Sequence, residues 1–260
     1  MEAPPAADSW GVASWRRWKR FWRRIETADP VWRAKRLVRQ ALGTELRYFP
    51  QLRTPKQRCG DWWFSPQGLS RDSVVYSLGV GEDIGFDLTL IERFGASVHA
   101  FDPTPGAVEW VRSRQLPAEF HFHQLGIADF DGVAEFSAPV AEGNVCFTLL
   151  EREGGRGPSI EAEVRRLPTI LAELGHDHID LLKMDIEGAE YTVIPDLVRS
   201  GIPVRQILVE FHHRFRNVGN ERTREAVELL LANGFRILHI SASGREYSFV
   251  HVPDNAPAAA

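Results

Sequence analysis

The segment Asp180-Leu181-Leu182-Lys183-Met184-Asp185-Ile186-Glu187-Gly188-Ala189-Glu190 sets a lysine and three acids around the end of an apolar run, with a glycine inside the turn that follows. Such a run reads as a buried strand, and a lysine within it is costly to desolvate unless paired. Asp185, two residues on and on the same face, or Glu210 on the next strand can serve. A structural ion pair, with Glu187 capping the following helix, would use the same residues. The next apolar run ends alike, in Val209-Glu210-Phe211-His212-His213. His212 is the first choice of base among the nine histidines, because imidazole titrates near neutrality and this one stands at a strand end. The expected chemistry is proton removal from an acceptor by His212 or Asp185, with Glu187 and Glu210 orienting the acceptor and Lys183 completing the set. A divalent cation on Asp185, Glu187 and Glu210 is the alternative means of acidifying a hydroxyl. No local spacing demands one, so no metal is expected.

A second constellation concerns a ligand. Ser77-Leu78-Gly79-Val80-Gly81-Glu82-Asp83-Ile84-Gly85 follows an apolar run, and the next run closes on Asp102. Glycines at 79 and 81 let backbone approach a ligand closely, and Asp102 stands where a carboxylate takes both hydroxyls of a ribose. Ile84 occupies the place of the third glycine in the dinucleotide fingerprint, and Glu82 and Asp83 would repel a pyrophosphate, which argues against NAD. The same acids suit a cationic nucleoside, S-adenosylmethionine, which has an ammonium, a sulfonium and no phosphate. A lone Gly-x-Gly with a downstream acid also occurs in folds that bind other nucleotides.

These residues need a scaffold that brings strand ends together. From Ser73 the pattern supplies one: strand Val74 to Leu78, helix Phe86 to Phe94, strand Val98 to Phe101, helix Ala107 to Arg114, strand Phe120 to Leu125, and helix Thr169 to Leu174. Strand Ile179 to Met184, helix Ala189 to Val198, strand Gln206 to Phe211 and helix Thr223 to Ala232 follow. This predicts an α/β, doubly wound, mostly parallel sheet. Phe235 to Ile240 and Tyr247 to Val252 predict an antiparallel hairpin at its edge. The insert from Asp129 to Pro168, with short runs Val133 to Phe136 and Val145 to Leu149, is a candidate lid or substrate wall.

With that scaffold in place, the chain resembles the FkbM-type methyltransferases. Leu182 to Glu190 matches their Lys-x-Asp-x-Glu-Gly-x-Glu signature, Glu210-Phe211-His212 looks like their following Glu-x-His, and Gly126 to Gly132 is similar to their segment after the third strand. The resemblance covers about Asp72 to Val252. It implies the class I methyltransferase (Rossmann-like) fold, S-adenosyl-L-methionine as cofactor and, commonly, a hydroxyl oxygen as acceptor. The cofactor set it implies is Ser77, Gly79, Gly81, Glu82, Asp83, Asp102, Pro103, Gly126 and Asp185. Ser77 replaces the acid usual at the first strand end, and Glu82 or Asp83 is expected to substitute. The turn Gly-Val-Gly-Glu-Asp-Ile-Gly replaces Gly-Ala-Asn-x-Gly, which points to a branch whose acceptor need not match that of the antibiotic-tailoring members; a small molecule or glycan is expected, with a lipid headgroup and a peptide side chain left open.

The N-terminal segment differs in kind. Between Arg16 and Arg39 stand ten basic residues against Glu26 and Asp29, in a chain of 260 residues with net charge −4, so the body is acidic. Trp15, Trp18, Phe21, Trp22 and Ile25 share one side of a helical wheel and the arginines the other, and Asp29-Pro30 opens a second helix that Gly43 can close. The first helix suits an anionic membrane surface through residues 10–25, or packing on the body; nucleic acid is not expected. The expected organisation is residues 1–50 basic and helical, 51–252 the methyltransferase domain, and 253–260 a disordered tail. Two cysteines and 43% hydrophobic residues exclude a disulfide framework and a wholly disordered chain; both thiols are expected to be buried. Without a membrane-spanning run the chain is expected to be cytoplasmic, with at most peripheral membrane contact. The rival readings are a silent scaffold docking through its first helix and a nicotinamide-dependent oxidoreductase.

Overall fold

A computed structural model of the chain describes residues 29–137, 159–215 and 218–253. The helix expected over residues 10–25, the run Val145 to Leu149, Cys146 and the tail after Pro253 lie outside them. The described residues form two compact units, residues 29–47 with Ala242–Gly244, and the rest. In the first, α1 (Asp29–Ala41) carries Asp29 in its first turn and Arg39 in its last, each complementing the helix dipole. It ends at Gly43, whose φ of 73° only glycine adopts at little cost.

The second unit opens with a hairpin, β1 (Gln57–Cys59) and β2 (Trp62–Phe64), paired antiparallel. Then follow β3 (Val74–Leu78), α2 (Gly85–Phe94), β4 (Ser97–Phe101), α3 (Pro105–Arg112), β5 (Phe120–His123), β6 (Gly126–Ile127), β7 (Gly132–Ser137) and β8 (Ser159–Arg165). The chain continues through α4 (Leu167–Leu174), β9 (Ile179–Met184), α5 (Glu190–Ser200), β10 (Val204–Glu210), α6 (Gly219–Ala232), β11 (Phe235–Ile240) and β12 (Glu246–His251). Seven strands make the main sheet in the order β11-β12-β10-β9-β3-β4-β5. β5, β4, β3, β9 and β10 are mutually parallel, and β12 lies antiparallel between β10 and β11. The expected α/β architecture and edge hairpin are present.

Every residue of β9 is buried, as a strand covered on both faces requires. One face packs Phe86, Leu90, Ile91 and Val111 of α2 and α3 with Trp62 and Phe64 of the hairpin. On the other, Ile170, Ile194, Leu197, Val227 and Leu230 of α4, α5 and α6 meet Leu182, Met184, Ile207 and Val209. Strand order reverses between β3 and β9, so their carboxyl ends flank the crevice where doubly wound folds hold ligands. The insert supplies a separate sheet, β6-β8-β7, which seats Phe136 and Gly126 at that crevice. β8 was not anticipated, although Ile160, Ala162 and Val164 alternate with polar residues as a one-sided strand does. Cys59 is only partly buried, with its thiol 3.2 Å from the Thr89 hydroxyl, a departure from the buried thiol expected.

Candidate active site

At the carboxyl ends of β3, β4 and β9 lies a cavity of about 250 Å³. Gly79, Gly81, Glu82, Asp102, Pro103, Gly126, Asp185 and Glu187 line it, with Phe101, Leu125, Ile127 and Phe136 as apolar walls. The turn after β3 interlocks with its neighbours. Gly79 N–H donates to the Phe101 carbonyl (2.9 Å) and Asp185 N–H to the Leu78 carbonyl (2.9 Å). A Cβ on Gly79, where φ is +75°, would stand 1.8 Å from the Asp185 carbonyl oxygen, so only glycine fits. Asp102 accepts from Gly81 N–H on one oxygen (2.9 Å) and from Thr104 N–H and Oγ1–H on the other (2.9 and 2.6 Å). Two lone pairs per oxygen leave one of its oxygens with a site for a ligand hydroxyl. Thr104 was missed from sequence; a threonine two residues past a strand-end aspartate is the local signal.

Two residues of the expected cofactor set lie elsewhere. Asp83 does not line the cavity; its carboxylate accepts from Gly85 N–H at 2.8 Å and starts α2. Ser77 is wholly buried on the face of β3 that pairs with Lys183. The acid beside it is Asp87 of α2, wholly buried, with neither carboxylate oxygen hydrogen-bonded among the described residues. Burial pushes the Asp87 carboxyl above its ordinary range, against the pull of the Lys183 charge. Lys183 itself is buried, donates to the Gly79 carbonyl at 3.3 Å and stands 5.2 Å from the centre of the Trp62 ring. It therefore sits beneath the glycine turn, where its charge acts on both Asp87 and Asp185, and among the described residues it forms no ion pair with Glu210.

The strand-end acids and histidine do converge. Glu190, wholly buried at the start of α5, accepts from Gly188 N–H (2.8 Å) on one oxygen, and its other oxygen takes His212 N–H (2.9 Å) and faces His212 Nδ1 (3.0 Å). One carboxylate thus ties the turn after β9 to the end of β10 and aims the far edge of the imidazole. His212 Nε2 lies 3.8 Å from an Asp185 oxygen and 3.6 Å from a Glu187 oxygen. Glu187 reaches this position with φ at +51°, the left-handed region that a non-glycine residue enters only at a cost of about 1–2 kcal/mol. Burial opposes charge on His212, but the Glu190 hydrogen bond and the Glu190, Glu187 and Asp185 charges outweigh it and raise its pKa to about 9. Burial also raises the Asp185 carboxyl, against Lys183 and His212. Glu210 pairs with Arg245 at 2.7 Å. Its carboxyl is pushed up to about 8 by burial and the Asp185 charge, against Arg245. Arg245, on the loop before β12, was not foreseen. A wider depression of about 620 Å³ at the opposite ends of β9 and β10 is lined by none of the candidate catalytic or cofactor residues.

Comparison with known proteins decides the family. The methyltransferase FkbM domain matches residues 79–237, from the glycine turn to β11. The chain belongs to the FkbM methyltransferase family. This FkbM methyltransferase is 27% identical over 200 residues to the 31-O-demethyl-FK506 methyltransferase FkbM of Streptomyces tacrolimicus, covering 65% of this chain and 75% of that one. It is 29% identical over 141 residues to the human probable methyltransferase-like protein 24, covering 53% of this chain and 32% of the relative, about a third of its length. A crystal structure of an FkbM methyltransferase from Methylobacillus flagellatus KT superposes with a TM-score of 0.45 at 14% identity, over 71% of this chain and 45% of that one. FkbM methyltransferases use S-adenosyl-L-methionine, and the cavity fits it. Asp102 keeps a lone pair for a ribose hydroxyl, Glu82 and Asp185 suit the cationic methionine end, and Phe101, Ile127 and Phe136 form an apolar wall for a base.

Proposed function

We propose that this FkbM methyltransferase transfers the methyl group to a hydroxyl oxygen of a small molecule or glycan. The observation that carries this reading is the adjacency of the two constellations. Asp185 and Glu187 line the cofactor cavity and also face His212, so an acceptor hydroxyl beside the cavity meets groups that hydrogen-bond it and take its proton. S-adenosyl-L-methionine supplies an electrophilic methyl group on a sulfonium and leaves as S-adenosylhomocysteine. The chain's own work is positioning, worth several powers of ten when two reactants are held in line. Asp102, Glu82 and the glycine turn hold the cofactor, Glu190 fixes the His212 ring, and the carboxylates of Asp185 and Glu187 orient the acceptor O–H. The O–H proton passes to this cluster as the oxygen–carbon bond forms, with Asp185 the receiving group because His212 already carries its proton at neutral pH. Ile84 argues against the dinucleotide alternative: it is buried in the core beneath the turn, where the third glycine of a pyrophosphate-binding loop would stand.

Calorimetric titration with S-adenosylhomocysteine, with NADH as control, tests the cofactor. Binding of the first alone, lost in Asp102→Ala, is expected; binding of NADH alone would reverse the assignment. Methyl-labelled cofactor offered with polyhydroxylated acceptors tests the atom. Label in a base-stable ether is expected, whereas a product that mild alkali hydrolyses would be an ester and would overturn the hydroxyl.

A further inference from the structure

We propose that Asp185, Glu187 and His212 form a binding site for a first-row divalent cation at the mouth of the cofactor cavity. One oxygen of each carboxylate and one nitrogen of the imidazole lie within 4.8 Å of one another. Ligands about 2.1 Å from a tetrahedral ion are about 3.4 Å apart, so the 3.6 and 3.8 Å separations at Nε2 need only a small inward movement. An acidic cluster alone would not carry this, and three further features do. His212 is 5% exposed, and its Nε2 makes no hydrogen bond among the described residues. It therefore points Nε2 of a nearly buried ring at two carboxylates. Its Nδ1 faces the wholly buried Glu190 at 3.0 Å, the carboxylate–histidine arrangement that fixes ring and tautomer at metal centres. Glu187 is held in left-handed backbone to bring its carboxylate there, a strain that helix capping does not require.

The ligand set differs from an oxygen-only cage. Glu210 is engaged by Arg245, and the imidazole takes its place. One nitrogen and two oxygens suit manganese, iron or zinc better than magnesium or calcium. Three protein ligands leave further positions open toward the cavity that Asp185 and Glu187 line. Resting on the methyl-transfer reading, an acceptor hydroxyl bound there would lose its proton to solvent more readily, as metal-bound water does. The oxygen lone pair then forms the bond to the methyl carbon, and the carbon–sulfur pair goes to sulfur. On this scheme Asp185 is a ligand and need not accept the proton, and His212 releases its Nε2 proton to solvent as the ion binds.

The test is titration of the chelator-treated full chain with Mn²⁺, read by the paramagnetic resonance of the free ion. Saturable uptake of one ion per chain is expected. Glu187→Gln, which keeps size and fold, should weaken it by at least about tenfold, and Glu190→Gln, acting through His212, by about 10- to 100-fold. His99→Leu, remote from the site, should bind as wild type. Mn²⁺ that remains free throughout, or binding that Glu187→Gln and Asp185→Asn leave unchanged, overturns the proposal. S-adenosylhomocysteine titrated into the same preparation separates the two readings. Cofactor binding without Mn²⁺ removes the cation and leaves methyl transfer standing, whereas Mn²⁺ without cofactor does the reverse.

Discussion

Lys183 and Asp87 show how the charge of one residue depends on another that sequence does not place beside it. The two come from β9 and α2, and both are buried under the glycine turn. Removing the ammonium leaves a wholly buried carboxylate with no hydrogen bond among the described residues, so Lys183→Met should cost about 3 kcal/mol in denaturant unfolding. Adding Asp87→Asn should recover more than half of it. A double variant no more stable than Lys183→Met would show that Asp87 does not depend on that lysine. This pairing explains what was legible at this scale. The clustering of charged groups at the strand ends could be seen, because a lysine and three acids around an apolar run stand out, although a structural ion pair and helix cap would use the same residues. Their partners could not. Glu210 was expected to share the acceptor and instead meets Arg245; Asp83 was expected at the ligand and instead caps Gly85. Both outcomes turn on side-chain direction and on contacts across long stretches of chain, which spacing along a sequence does not encode.

Among the elements, the turn between β3 and α2 is the most constrained. Gly79 and Gly81 both have positive φ, yet an added Cβ meets the Asp185 carbonyl at 1.8 Å at the first and nothing within 4 Å at the second. Gly81→Ala should therefore cost only the left-handed penalty, about 1–2 kcal/mol. Gly79→Ala must also push the β3 turn away from the Asp185 backbone, and should cost about 3 kcal/mol or more and weaken S-adenosylhomocysteine binding at least about tenfold. Equal unfolding midpoints for the two would remove the steric argument. The elements of the main sheet were readable because β9 is apolar on both faces and β11 and β12 are separated by a short glycine-containing link. β12 pairs with β10 as well as with β11, which sets it inside the sheet. The β6-β8-β7 sheet was harder to read, because β6 has two residues and pairs in parallel with a strand far along the chain. Its consequence for function is Phe136, an apolar wall residue that closes the run Val133 to Phe136 of the insert expected as a substrate wall.

Across the whole molecule, a second titratable cluster lies outside the candidate active site and affects stability. His99 stacks against His121 and His123 at ring distances of 4.7 and 5.4 Å and meets His176 edge-on at 4.7 Å, while His176 Nδ1 lies 2.8 Å from the Tyr76 hydroxyl. Burial and then the neighbouring imidazoles lower the His99 pKa to about 3, and burial also lowers His123 and His176. The sign follows from linkage. An unfolded histidine protonates near pH 6.5, the folded ones only lower, so the unfolded state binds more protons in between. Stability from the cluster is complete above about pH 6.5 and falls as pH drops toward 3. The slope is at most about 1.4 kcal/mol per pH unit for each histidine kept neutral. His212 and Glu210, with raised values of about 9 and 8, act oppositely. His212 favours the fold below its folded value and Glu210 while protonated, and both contributions fade as pH rises, so the raw profile mixes the two. The difference between wild type and His99→Leu isolates the cluster. Between pH 7 and 5 the urea midpoint of wild type should fall more steeply than that of His99→Leu. Parallel profiles would mean that the cluster takes up protons without unfolding and that acid stability is set elsewhere in the molecule.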